Sequence, residues 1–289
     1  MRRRNLLLAG AALALGARAA SPQAGRAVRI GLSPVFVDDQ LAFLSSWRAY
    51  LQSRLERPVQ FVQRRTYREI VDLLLERRLE FAWICGYPYV KNRAELQLVA
   101  VPLSEGRPVY RSYIVVPGTD RETSSILHLR GKVFAFSDPD SNSGFLYPNY
   151  ALIELAERPD AFFGKTFFTW AHRNTVEAIA AGLAHGGAVD SYVWETLRLH
   201  RPEIGERTRV AARSPTFGHT PFVARRGVAP ADWLALQRAL IDMHSGPEGR
   251  ELLRKLNLDG FEPGTDALYE GIARMMQATK GIALGAPAA

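Results

Sequence analysis

Apolar runs of about five residues alternate along the chain with segments whose apolar positions repeat at helical spacing, and this alternation predicts the elements. Residues 28–32 form an apolar run stopped by Ser33-Pro34, after which Leu41, Leu44, Leu51 and Leu55 recur near a period of 3.6. A strand feeding a helix follows. Residues 59–63 are β-rich, and Thr66 and Glu69 then make a T-x-x-E capping box in front of a helix carrying Ile70, Leu73, Leu74 and Arg77. Residues 81–85 read as a buried strand that stops at Gly86, with Pro88 in the first turn of the next helix. Two strands are expected at 96–101 and 110–116. A second series begins after Pro117-Gly118-Thr119, with strands at 132–136, 165–170 and 187–190 and helices from Gly144 onward and over 174–184. A strand at 221–225 follows the turn-rich stretch 214–220, and the remainder reads as mostly helical.

Repeated strand, helix, strand order predicts an α/β fold with largely parallel sheets and helices on both faces. Crossings at Pro117-Gly118 and at 214–220 would divide it into a discontinuous first lobe, 27–116 with 217–289, and a second lobe, 117–216. Ligand sites in such folds lie at the carboxyl ends of strands and at domain junctions.

Composition changes the picture at the amino terminus. Arg2, Arg3 and Arg4, a short apolar run over 6–15 and Ala17-Arg18-Ala19 read as a secretory signal peptide cleaved near Ala19. The arginine run before Asn5 resembles both a twin-arginine signal and the basic start of a Sec signal. No later apolar run approaches the roughly 20 residues of a membrane-spanning helix, so a periplasmic monomer that is not membrane-embedded is expected. Cleavage would remove four arginines and lower the formal charge from +8 to +4. That surplus argues against nucleic-acid binding and suits a small anion. The single cysteine, Cys85, allows neither an intramolecular disulfide nor a multi-cysteine metal site; no cofactor is expected.

Strand-to-helix junctions carry the useful side chains. Asp138-Pro139-Asp140-Ser141-Asn142-Ser143-Gly144 places hydroxyls, an amide and free N–H groups at the positive end of a helix, which suits a phosphate-like oxyanion, although a serine there also serves as a simple N-cap. Pro148 falls past the first turn and deletes a helical hydrogen bond. His172 precedes the helix opened by Asn174 and can donate to a ligand oxygen or be structural. Asp190 ends a strand, where it can hold a ligand amine or cap the next helix. From the first lobe, Ser33 and Tyr87 are placed to face the same cleft. Cys85 reads either as an inert buried thiol or as a ligand for a soft ion.

These motifs resemble the substrate-binding proteins of phosphonate, phosphite and phosphate ABC transporters. "VFAFSDPDSNSG" (133–144) is similar to the family's D-P-x-S-T-S-G segment, and "FAWICGYPYV" (81–90), "AHRNTVEAIAAG" (171–182) and "GAVDSYVWE" (187–195) follow in family order and spacing. The resemblance implies a two-lobe type 2 periplasmic-binding-protein fold with a two-strand hinge. It further implies that Ser141, Asn142 and Ser143 grip the oxygens, His172 donates beside them, Tyr87 contributes from the other lobe, and Asp190 marks the region where relatives hold an amine. The family's central Thr is Asn142 here. The implied partner is an ABC permease; the alternative is the periplasmic domain of a sensor kinase responding to an arsenite-like oxyanion. An enzyme is the competing class, yet G-x-S-x-G, G-x-x-x-x-G-K-[ST] and H-E-x-x-H are absent. A triad of Ser143, His172 and Asp190 can be written only on paper.

Overall fold

The computed structural model describes residues 26–34 and 41–286, so the leader expected at 1–19 lies outside the described residues. In the first lobe, β1 (Val28–Leu32), β2 (Val59–Gln63), β3 (Phe81–Trp83) and β4 (Leu96–Leu103) are linked by α1 (Leu41–Leu55), α2 (Tyr67–Leu75) and α3 (Gly86–Lys91). The second lobe holds β5 (Val109–Pro117), β6 (Val133–Phe136), β7 (Lys165–Phe168), β8 (Gly186–Asp190) and β9 (Thr208–Gly218). Between them run a π turn (Asn142–Leu146), α4 (Tyr147–Glu154), α5 (Pro159–Phe162), α6 (His172–Ala180), α7 (Ser191–His200) and α8 (Pro202–Gly205). The chain then returns through β10 (Phe222–Arg225), α9 (Pro230–Ile241), α10 (Pro247–Leu256), β11 (Gly260–Glu262) and α11 (Glu270–Ala278).

The strands form two sheets, ordered β11-β4-β10-β3-β1-β2 and β7-β6-β8-β5-β9. The two sheets of the α/β architecture are present, but both are mixed rather than largely parallel. β1 runs parallel to β2 and β3, and β6 to β7 and β8. β10, β11 and β5 pair antiparallel with all their neighbours, because each enters its sheet from the far end.

Sheet membership also moves the first crossing. β5 pairs with β8 and β9, so the chain changes sheet between β4 and β5, ahead of the Pro117-Gly118 crossing expected from sequence. Pro117-Gly118 ends β5, and the Gly118 N–H still bonds the Arg207 carbonyl at 2.8 Å within the second lobe. Turn chemistry marked the end of a strand and not a change of sheet. The return crossing falls between β9 and β10, and the His219 N–H bonds the Pro108 carbonyl at 2.9 Å, tying the two crossings together. β11, at three residues, is too short to show periodicity and was missed.

The buried clusters run across both lobes: the one that holds Trp47 and Phe222 also takes in Val115, Val189 and Trp194 of the second lobe. In the first lobe Trp47 packs edge-on to Trp83, whose ring stacks on Phe222 at 5.2 Å; in the second, Phe134, Phe136, Phe145 and Phe162 fill the space under the sheet. Burial of such side chains contributes about 1.5–3 kcal/mol each. Strand ends held this firmly give the loops that follow them defined positions.

Candidate functional site

The turn after β6 is built first by its own backbone. Ser141 is the N-cap of the π turn, its Oγ accepting the Gly144 N–H at 2.9 Å. Pro148 sits in the first turn of α4 and cannot donate to the Gly144 carbonyl; that carbonyl accepts the Ser137 N–H instead, at 3.3 Å, while the Leu146 N–H reaches back five residues to Ser141. The proline expected to disturb the helix start is thus absorbed by a widened turn. Gly144 is required by crowding: a Cβ there would lie 1.7 Å from Ser137 Oγ and 3.0 Å from the His172 ring.

His172 is the first residue of α6, not a residue ahead of it. Trp170 adopts a left-handed conformation, φ 66°, that a bulky side chain rarely takes, and it swings the chain so that the imidazole meets the turn. The Asp190 N–H donates to His172 Nδ1 at 3.1 Å, which places the ring proton on Nε2. His172 Nε2 therefore donates to Ser141 Oγ, 3.2 Å away. With two donors already on its oxygen, Ser141 has its hydroxyl proton left to offer. Burial lowers the His172 pKa to about 3, so the ring is neutral.

Asp190 makes the helix cap expected of it. One carboxylate oxygen caps α7 through the Tyr192 N–H at 2.8 Å, and the other is buried without a protein partner. Burial pushes its pKa up to about 8. The triad written from sequence is not assembled: His172 meets Ser141 rather than Ser143, and it meets the Asp190 backbone rather than its carboxylate.

The first lobe closes over this surface. The Tyr67 N–H, at the start of α2, donates across the cleft to Asp138 at 3.1 Å, and the capping box of Thr66 and Glu69 fixes that helix end. Lys91 from α3 and Arg68 from α2 both engage Asp140, at 2.7 and 3.4 Å. The Asn142 N–H donates to Cys85 Sγ at 3.3 Å, and the Asn142 amide to the Tyr110 hydroxyl at 2.8 Å. Burial pushes the Cys85 thiol up to about 12, which keeps it a neutral acceptor and favours the inert reading over soft-ion binding. Tyr87 packs beside Tyr67 and Cys85, half-buried, with Lys91 Nζ 5.1 Å from its ring centroid. Ser33 is buried but committed, its hydroxyl donating to the Trp83 carbonyl at 3.0 Å.

Ser141, Asn142, Ser143, His172 and Asp190 are therefore brought together, Tyr87 lies at the rim, and Ser33 serves the strands. Sequence reading missed Tyr67, Tyr110, Asp138 and the Lys91–Asp140–Arg68 bridge. Tyr67 was legible in principle, since the capping box that was read puts it at a strand-to-helix junction. Ser143 Oγ, Asn142 Oδ1, the Tyr67 hydroxyl and one Asp190 oxygen are all buried with no partner in the protein. Native proteins rarely leave such groups unpaired. Burial raises the pKa of Tyr67 and Tyr110 well above the usual phenol range, so both are neutral. The assembly is a buried cluster of hydrogen-bonding groups at a helix end, with the Asp138 carboxyl beside it, its pKa raised by burial to about 6.

Comparison with known proteins shows the family and the fold. Residues 30–269 match the family described as ABC transporter, phosphonate, periplasmic substrate-binding protein. A phosphate-import protein, PhnD, of Mycolicibacterium smegmatis is 28% identical over 159 residues, 51% of this chain and 50% of that protein, so the chain spans about half the length of that curated relative. Two solved structures share the fold. The binding protein component of an ABC phosphonate transporter from Pseudomonas aeruginosa superposes with a TM-score of 0.80 at 19% identity, covering 88% of this chain and 86% of that one. PhnD1 of Prochlorococcus marinus, in complex with methylphosphonate, gives 0.77 at 18% identity, with 89% and 99% covered.

Proposed function

The chain belongs to the periplasmic substrate-binding protein family of phosphonate ABC transporters, and on that premise we propose that it captures one small phosphonate-type oxyanion between its lobes for delivery to a permease. The observation that carries the reading is the convergence of unpaired, fully buried polar groups from both lobes at the 141–143 turn. Ser141, Ser143 and Tyr67 are the donors, joined by the positive end of the π turn and α4. His172 acts mainly by orienting Ser141. Tyr87 closes the rim. The family is one of binding proteins and not of enzymes, and neither an arsenite-sensing role nor ester hydrolysis gains support from the inert thiol or the unassembled triad. No helix among the described residues is long and apolar enough to cross a membrane, and we place the chain in the periplasm as its family is placed.

Ligand class follows from Asp190. With its pKa raised to about 8, the free site holds a neutral carboxylic acid at pH 7, which can donate to a ligand oxygen. The wall made by Tyr67, Tyr110 and Cys85 suits a compact ligand with an apolar face, such as methylphosphonate. An amine-free dianion uses the Asp190 proton, so its affinity is steady below pH 8 and falls by up to about tenfold per unit above it. A ligand ammonium needs the carboxylate ionised, so its affinity would instead rise with pH up to about 8. Calorimetric titration of methylphosphonate and 2-aminoethylphosphonate between pH 6 and 9, with each affinity referred to the dianionic fraction of the ligand, separates the two, and a methylphosphonate affinity that still climbs through pH 6–8 on that basis contradicts the neutral-acid reading.

Closure has its own test. Asp140→Asn removes the carboxylate shared by Lys91 and Arg68 without touching the oxyanion turn. A partly exposed ion pair of this kind is worth about 1 kcal/mol, or roughly fivefold. Methylphosphonate should leave about fivefold faster by stopped-flow, with its association rate little changed; an unaltered release rate would separate this bridge from closure.

A further inference from the structure

The carboxyl-terminal segment does not stay with the lobe it leaves. α11 packs beside α3 of the first lobe, where Ile272 and Met275 enter a core that also takes in Leu146, Tyr147 and Tyr150 from the π turn and α4. Thr279 closes the helix, its Oγ1 donating to the Met275 carbonyl at 2.9 Å, and Gly281, at φ 78°, reverses the chain. Leu284 then packs against the second lobe's core, made by Ile114, Phe136, Phe145, Leu152 and their neighbours. The Gly285 N–H donates to Asn149 Oδ1 at 2.8 Å, and the same Asn149, fully buried in α4, donates through Nδ2 to the Phe145 carbonyl at 2.8 Å. Gly285 fits because a Cβ there would lie 2.5 Å from the Pro159 carbonyl.

We propose that residues 279–286 are a third tether between the lobes, which positions the ligand-gripping turn by clamping α4 and holds the cleft toward closure. The segment crosses from one core to the other independently of the β4–β5 and β9–β10 links. Its anchor is the helix that continues directly from Ser141, Asn142 and Ser143, and Asn149 bonds a carbonyl of the π turn itself. An opening rotation must either stretch this strand of chain or pull Leu284 from the second core. The tether therefore opposes opening, and its loss lowers the fraction of free protein in the binding-competent form.

The test uses spin labels on Arg78→Cys and Leu183→Cys, exposed positions in opposite lobes, in the otherwise full chain, in a chain ending at Thr279, and in Leu284→Ser. The interlobe distance is measured in the ligand-free protein, so this arm does not depend on what the site binds. The full chain should give the shorter distance and both variants a longer, broader distribution. Methylphosphonate affinity, an arm that rests on the function proposed above, should fall about tenfold as the competent fraction falls. Melting temperature is recorded alongside. Unchanged distances in the variants, with or without a lower melting temperature, would mean that the segment only caps the second core, and would overturn the proposal. If the shortened chain fails to fold, Leu284→Ser alone decides by the same distance. Longer distances without weaker methylphosphonate binding would leave the tether standing and count against the ligand.

Discussion

Replacing Ser141 and Ser143 together by alanine weakens methylphosphonate binding by about two to four powers of ten. Each hydroxyl supplies a hydrogen bond to a charged oxygen, worth about 1.5–3 kcal/mol. Losing both costs about 3–6 kcal/mol against the roughly 8 kcal/mol of a micromolar complex. The Ser141 change goes further, because it strands two donors, the Gly144 N–H and the His172 Nε2 proton, that now converge on one oxygen. A thermal-shift assay reads the outcome: ligand at 100 times its dissociation constant stabilises the native protein by about 2.7 kcal/mol, and at the same concentration the double variant should show little shift. His172→Asn, which keeps a donor but misplaces it, should sit between the two. An undiminished ligand response in the serine double variant removes the 141–143 turn from the site.

The second large effect concerns Gly144→Ala, a change that adds one methyl group and no charge. That methyl cannot be placed without moving Ser137, whose Oγ would be 1.7 Å away and whose Cβ would be 2.7 Å away. Overpacking at a buried site costs about 1–3 kcal/mol, so a melting temperature lower by several degrees is expected. Binding should fail as well, since the displaced atoms belong to the ligand-gripping turn. Adding Ser137→Gly removes the obstructing side chain, and the pair should recover much of both stability and binding, the signature of two directly coupled residues. If the second substitution rescues nothing, crowding against Ser137 is not the reason for glycine at 144.

Much of this arrangement could be read along the chain, and the reasons for the rest are physical. The Thr66–Glu69 capping box was legible because its chemistry is local, and the structure contains both of its hydrogen bonds. The 141–143 turn, His172 and Asp190 were legible for a related reason: each follows a strand and precedes a helix, and such junctions gather at one end of a sheet. What the sequence could not yield was anything that depends on one lobe meeting the other. Tyr67 and Asp138 are 71 positions apart and touch only across the cleft. Tyr110 was placed in the wrong lobe, since Pro117-Gly118 looked like a boundary and only strand pairing reveals that β5 belongs with β8 and β9. Ser33 shows the opposite error, a side chain at a suitable strand end whose hydroxyl is spent on the Trp83 carbonyl. Residues 279–286 gave no signal at all, because so short a segment carries no periodicity, and its role lies in two contacts made by Leu284 and Gly285.

On this reading the buried cluster at the 141–143 turn holds one compact phosphorus oxyanion and returns it unaltered. Titration calorimetry of the purified chain with methylphosphonate, followed by phosphorus NMR of the released ligand, tests it most directly. One molecule should bind per chain with micromolar or tighter affinity, and the recovered spectrum should be identical to that of the starting compound. Absence of binding to methylphosphonate, phosphite, phosphate and 2-aminoethylphosphonate alike, or the appearance of a new phosphorus species, would contradict it.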